Sequence, residues 1–184
     1  MPPASLNHAP RVFEGARFDV HRVDLPGRGG GTVRREACVT RDAVVILPVL
    51  DRHTVVLIRN ERFAVGRNLW ELPAGTIEPD GGEAVETPRA CAARELTEET
   101  GYRADRIDPL VMFYPSPGVC TELMHAFVGR DLTHVGQELD ENERITVEVM
   151  PLERSIQMVR ENTICDGKTI AALLYYQTFT AREA

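Results

Sequence analysis

The sequence predicts a single α/β or α+β domain, and three observations predict it. Strand-like and helix-like segments alternate along the chain with no internal repeat, which is the pattern of sheet and helix packed in layers. The 184 residues suit one domain with a proper core and are short for two. Hydrophobic residues make up 43% and charged residues 27%, which excludes disorder and fibrous repeats for most of the chain.

Residues 1–16 read as a flexible N-terminal arm, and residues 17–184 as the domain itself, with residues 17–40 supplying its first strands. Arg17 to Leu25 alternates around Phe18, Val20 and Val23, as a half-buried strand does. The run Pro26 to Gly31 is a turn, and Thr32 to Val39 is the next strand. Ala43 to Leu50 is nearly all apolar, so that strand is covered on both faces; Thr54 to Arg59 returns beside it. Past Trp70 the chain turns to Pro and Gly. Thr87 as N-cap, Pro88 at the first helical position and Gly101 as stop delimit a helix over Pro88 to Thr100. Further strands are expected near Val111 to Phe113, Leu123 to Val128 and Ile145 to Met150. Two helices follow, Leu152 to Arg160 and roughly Lys168 to Thr180.

Charge narrows the partners. Lys plus Arg is 21 and Asp plus Glu is 28, a net −7. Nucleic-acid backbones demand clustered cations, so no nucleic-acid partner is expected, and an anionic substrate would need a local positive bridge. No apolar run reaches membrane-spanning length and no secretory leader is visible, so no membrane partner is expected. Cys38, Cys91, Cys120 and Cys165 are scattered without a C-x-x-C pair, which points to reduced thiols in a cytoplasm. His21, His53, His125 and His134 have no ligand spacing.

The chemistry concentrates on the predicted helix. Glu95, Glu98 and Glu99 stand at i, i+3 and i+4 on one face. Each like-charge pair at that spacing costs about 0.2–0.5 kcal/mol. They lie towards the end of the helix, where its dipole disfavours anions. Arg94 relieves only one of them, Glu98, in this reading. Such a face is either solvated or built for a hard divalent cation, which takes oxygen ligands. The other face, Ala92, Ala93 and Leu96, is small and apolar and can press closely on a sheet. Cys91 lies on the glutamate side, where a thiolate is disfavoured, and is read as packing.

The stretch from Gly75 through Glu86, Arg94-Glu95-Leu96, Glu98-Glu99 and Gly101-Tyr102 resembles the Nudix hydrolase signature. From Glu86 onward the spacing fits at every position. Between Gly75 and Glu86 lie ten residues where the family has five, an insertion within Thr76 to Val85. Glu86 fits the first signature position by its spacing to Arg94; Glu83 is the alternative. The resemblance runs from about Phe18 to Leu174. Leu69 to Glu78, the proline element Phe113 to Gly118, the acidic Glu141-Asn142-Glu143 and Val33 to Glu36 are all similar to the branch that cleaves ADP-ribose and nucleoside diphosphate sugars.

The resemblance implies an α/β/α sandwich with a mixed central sheet and an N-terminal strand extension. It implies a metal-dependent hydrolysis of a nucleoside diphosphate sugar to a nucleoside monophosphate and a sugar phosphate. GDP-mannose is the nearest alternative to ADP-ribose, and a non-catalytic nucleotide-sugar-binding domain is the alternative outside enzymes. Mg²⁺ or Mn²⁺ would be held by Glu95 and Glu99 with Glu98, the Ala74 carbonyl and Glu143. Arg94 would keep the carboxylates in register, and Glu141 or Glu143 would be the general base. Arg62 is the implied phosphate contact; Arg59, Arg34, Arg35, Phe18 (stacked on adenine) and Glu71 are further candidate substrate contacts. A homodimer formed through residues 17–40 is also implied.

Overall fold

The computed structural model describes residues 6, 8–79, 85–139 and 144–180. The positions expected at Glu83, Glu141 and Glu143 lie outside these residues. Two compact units are present: one runs up to Asp42 and includes Phe113–Leu123, and the other comprises Ala43–Met112 and the chain from Met124 onward.

The first unit is an antiparallel sheet of β1 (Arg11–Glu14), β2 (Asp19–Pro26) and β3 (Thr32–Val39), in that order. The sequence reading left Arg11–Glu14 in a flexible arm. It is instead a strand paired with β2 at Phe13↔Val20 and Glu14↔Asp19. All four of its residues are exposed, so burial patterning carries no signal there. The β2–β3 hairpin closes at Gly30 and Gly31, whose φ values of 74° and 101° suit glycine. Phe113–Leu123 joins this unit through a parallel bridge, Cys38↔Cys120, with Cys38 donating its N–H to the Val119 carbonyl at 2.7 Å.

The second unit holds a mixed sheet, β10-β5-β4-β9-β8, formed by β4 (Ala43–Asp51), β5 (Thr54–Arg62), β8 (Tyr102–Phe113), β9 (Met124–His134) and β10 (Ile145–Pro151). β6 (Arg67–Glu71) pairs with β5 and β7 (Ala74–Thr76) with β4. β4 is buried from Ala43 to Val49, which is why it reads as one apolar run. Its pairing with β9 is parallel and that with β5 antiparallel, so the sheet is mixed as expected. β8 begins nine residues before the predicted Val111. It is an edge strand, and edges tolerate the charges Arg103, Asp105, Arg106 and Asp108 and the proline Pro109 that hid it.

α1 spans Pro88–Thr100 with the predicted caps: the Thr87 side chain accepts from the Ala90 N–H, and Gly101 is left-handed at φ 72°. Ala92 and Leu96 on α1 are buried with Val44, Ile46, Ile107 and Phe127. α2 is Leu152–Arg160 as predicted, whereas the last predicted helix divides into α3 (Gly167–Tyr175) and a π-helical turn, Tyr176–Thr180. No helix among the described residues is long and apolar enough to cross a membrane.

Candidate active site

The site grows from the contact between α1 and β7. β4 sets β7 in place through Val45↔Ala74 and Val44↔Gly75, and the Ile46 N–H donates to the Pro73 carbonyl at 2.9 Å. That leaves Ala74 and Gly75 against the acidic face of α1. The Ala74 N–H donates to Glu99 Oε2 at 2.9 Å. A Cβ at Gly75 would lie 1.8 Å from Glu95 Oε1, so only glycine admits this approach. Both carboxylates are buried, one helical turn apart, against the same two residues of backbone.

Arg94 knits the rest together. Its Nε and Nη2 donate to the two oxygens of Glu86, each at 3.2 Å. Its Nη1 stands 2.8 Å from Glu98 Oε2 and 2.8 Å from Glu95 Oε1. The sequence reading allowed Arg94 to relieve Glu98 alone; because Nη1 lies between two carboxylates, it relieves Glu95 as well. Burial opposes the Arg94 charge, but the hydrogen bond to Glu86, the charge of Glu95 and the hydrogen bond to Glu98 outweigh it and drive the guanidinium pKa up. Burial likewise opposes ionised Glu86, and Arg94 outweighs it, holding that carboxyl below its ordinary range. The contact suits Glu86 to the first signature position; Glu83, the alternative, lies outside the described residues. Cys91 is buried and its thiol is pushed up to about 12, by burial first and then by the charge of Glu86, so it is packing, as expected. The insertion leaves and rejoins at one place: Pro79 pairs with Val85, and the Glu86 N–H donates to the Glu78 carbonyl at 3.1 Å.

Beside this turn lies a second network. Glu71, expected as a substrate contact, is 0% exposed. Its oxygens accept from Arg62 Nε at 2.8 Å and Nη2 at 2.7 Å, and from Lys168 Nζ at 2.5 Å. Burial raises the Glu71 pKa, but the Arg62 hydrogen bond and the Lys168 charge more than offset it, so the carboxyl stays below its ordinary range. The same hydrogen bond, against burial, holds Arg62 above its ordinary value. Arg59 stacks on the Trp70 ring, 5.2 Å from its centroid, opposite it in the β5–β6 pairing. Arg67 is exposed.

The remaining expected contacts belong to the first unit. Phe18 is 45% exposed, outside any core, with its ring centroid 6.0 Å from that of Phe13. Arg34 makes a two-pronged pair with Asp24 across β2 and β3, at 2.9 and 3.3 Å. Arg35 donates to the Arg34 carbonyl at 3.0 Å. Sequence reasoning missed Lys168 and Thr169 on α3 and Asp166 at its N-cap. A signal existed: a lysine in the first turn of a helix opposes the dipole as surely as glutamates in the last turn do.

Among the described residues, no three His, Cys, Asp or Glu side chains stand gathered to hold an ion. The fit to a divalent cation rests on the pair Glu95 and Glu99. They offer hard oxygen donors, and the missing Cβ of Gly75 leaves room for them against the turn.

A mixed α/β fold with a carboxylate-bearing helix closed on a backbone turn offers the hard oxygen donors that a metal-assisted hydrolase would need. The NUDIX domain matches residues 39–173, and the chain belongs to the Nudix family. An ADP-ribose pyrophosphatase of Bacillus subtilis (strain 168) is 32% identical over 176 residues, covering 95% of this chain and 92% of that protein. A GDP-mannose pyrophosphatase of Salmonella typhimurium is 34% identical over 168 residues, covering 84% of each chain. A solved structure of an ADP compounds hydrolase superposes with a TM-score of 0.80 at 26% identity, over 93% of this chain and 90% of that one.

Proposed function

We propose that the protein hydrolyses the pyrophosphate bond of ADP-ribose, or of a closely related nucleoside diphosphate sugar, to a nucleoside monophosphate and a sugar phosphate, with Mg²⁺ or Mn²⁺. The observation that carries the reading is the pair of buried glutamates, Glu95 and Glu99, seated on Ala74 and Gly75. These carboxylates and the Ala74 carbonyl would hold the ion, with Glu98 and Glu143 as further donors. When bound, a divalent ion supplies Lewis-acid polarisation of phosphoryl oxygens and a water of lowered pKa.

The chain's own residues do the rest. Arg94 fixes the carboxylate register, as its contacts to Glu86, Glu95 and Glu98 support. Arg62 meets the diphosphate: among the described residues its bonds to Glu71 use Nε and Nη2, and the Nη1 donors serve a phosphate oxygen. Glu141 or Glu143 takes the proton of the attacking water. The Salmonella relative keeps GDP-mannose as the second substrate reading. We also propose that residues 17–184 act as one domain and that β2 and β3 pair it into a homodimer. Apolar side chains exposed there, Leu25 and Val33, and Phe18 just before β2 support this. A reducing cytoplasm suits the four free thiols.

A panel of nucleoside diphosphate sugars with Mg²⁺ and with Mn²⁺ tests the reading. ADP-ribose is expected to be cleaved, and Glu99→Gln to lower both Mn²⁺ affinity and turnover. Glu141→Gln or Glu143→Gln is expected to lower turnover far more than metal affinity. Robust cleavage of GDP-mannose without cleavage of ADP-ribose would transfer the assignment to it.

A further inference from the structure

We propose that Lys168 and Thr169, at the start of α3, are positioning residues that align the two halves of the site: the phosphate-binding cation and the ion-holding turn. The inference rests on the function proposed above.

Lys168 acts through Glu71. A carboxylate with no exposed surface is costly to ionise unless cations and donors surround it. Lys168 Nζ and the Arg62 fork supply them from distant parts of the chain, and Asp166 holds Lys168 in turn at 3.0 Å. With Lys168 fixed on Glu71 Oε2, the Arg62 guanidinium is locked in one plane and its side chain remains 37% exposed. A preset guanidinium meets a diphosphate without losing further rotamer freedom.

Thr169 acts through the backbone. Its hydroxyl is committed as a donor to Asp166 Oδ2 at 2.6 Å, and Asp166 also accepts the Thr169 N–H at 3.0 Å. The lone pairs of Thr169 Oγ1 therefore face another donor, the Leu72 N–H at 2.8 Å. Leu72 immediately precedes Pro73 and the Ala74–Gly75 turn on which Glu99 and Glu95 rest. Thr169 is itself fully buried, so this bond has no competing water. Capping Asp166 thus has a second use: it orients a lysine and a threonine that reach different parts of the same site.

The test uses the full chain and four variants: Lys168→Met, Lys168→Arg, Thr169→Val and Thr169→Ser. Steady-state kinetics on ADP-ribose at saturating Mn²⁺ are compared with Mn²⁺ affinity measured without substrate, by electron paramagnetic resonance. Lys168→Met is expected to raise KM about tenfold or more while Mn²⁺ affinity stays at the wild-type value, and Lys168→Arg to restore KM. Thr169→Val is expected to weaken Mn²⁺ binding about tenfold, and Thr169→Ser to restore it. An unchanged KM in Lys168→Met overturns the lysine role. Unaltered Mn²⁺ affinity in folded Thr169→Val overturns the threonine role. Wild-type protein that binds Mn²⁺ yet cleaves no nucleoside diphosphate sugar would instead sink the proposed function, while the Mn²⁺ measurement on Thr169→Val would still decide the role of Thr169.

Discussion

Adding one methyl group at Gly75 separates the needs of the site from those of the fold. In Gly75→Ala the new Cβ would stand 1.8 Å from Glu95 Oε1 and 2.0 Å from Cδ. A comfortable separation is about 3.5 Å, so the carboxylate must retreat by about 1.5–1.7 Å. The obstructing group is the end of a flexible side chain, and Gly75 carries no left-handed φ, so the backbone need not break. Overpacking of this kind costs about 1–3 kcal/mol, and the stiffer unfolded chain returns about 0.4–1 kcal/mol. For a chain of this size each kcal/mol moves Tm by about 2–4 °C, so calorimetry should show a loss of only a few degrees. Function should suffer far more, since a misplacement of about 1 Å in a reacting group can cost about 100-fold. The assay is release of AMP from ADP-ribose, beside Mn²⁺ binding by paramagnetic resonance. Wild-type Mn²⁺ affinity and turnover in a folded Gly75→Ala protein would refute the idea that Glu95 is seated for an ion.

Three further outcomes are expected. Arg94→Lys replaces a fork that touches Glu86, Glu95 and Glu98 by a single ammonium, and turnover should fall about 10–100-fold with the fold retained; kcat of the purified variant checks this. Glu71 and Glu86 both sit below their ordinary value of 4.5 in the folded chain, so the stability they add is complete above that pH and drains away as pH falls through their lowered folded values. Urea midpoints should therefore decline on acidification below about 4.5, and a flat profile would count against these networks. Exposed Cys165 should react with a maleimide well before buried Cys91, whose thiol is pushed up to about 12; peptide mass spectrometry reads the order.

What the sequence disclosed was local. Thr87, Pro88 and Gly101 act on their own neighbours, so both ends of α1 were legible, and so was the stacking of Glu95, Glu98 and Glu99. What it hid depends on partners far along the chain. β7 is three residues long and contains a glycine; it is a strand only because β4 lies beside it. Arg62 was visible as a cation, but the carboxylate its fork grips is also held by Lys168, 97 residues beyond Glu71, and that distance carries no shared spacing. Phe18 reads as core or stacking from its strand pattern, and the structure leaves it at the surface beside Phe13.

The parallel pairing of β4 with β9 has a consequence for how the chain comes to be. Ala43 lies opposite Met124, and Pro48 opposite Gly129, so one edge of the most apolar strand has no partner until β9 has been made. A nascent chain would emerge with that greasy ribbon open along its length, a template for joining other chains. The opposite edge of the same ribbon holds Ala74 and Gly75, the turn proposed above to hold the ion. Slow, late closure follows from such distant pairing, and residues 43–49 lack their β9 neighbour until then.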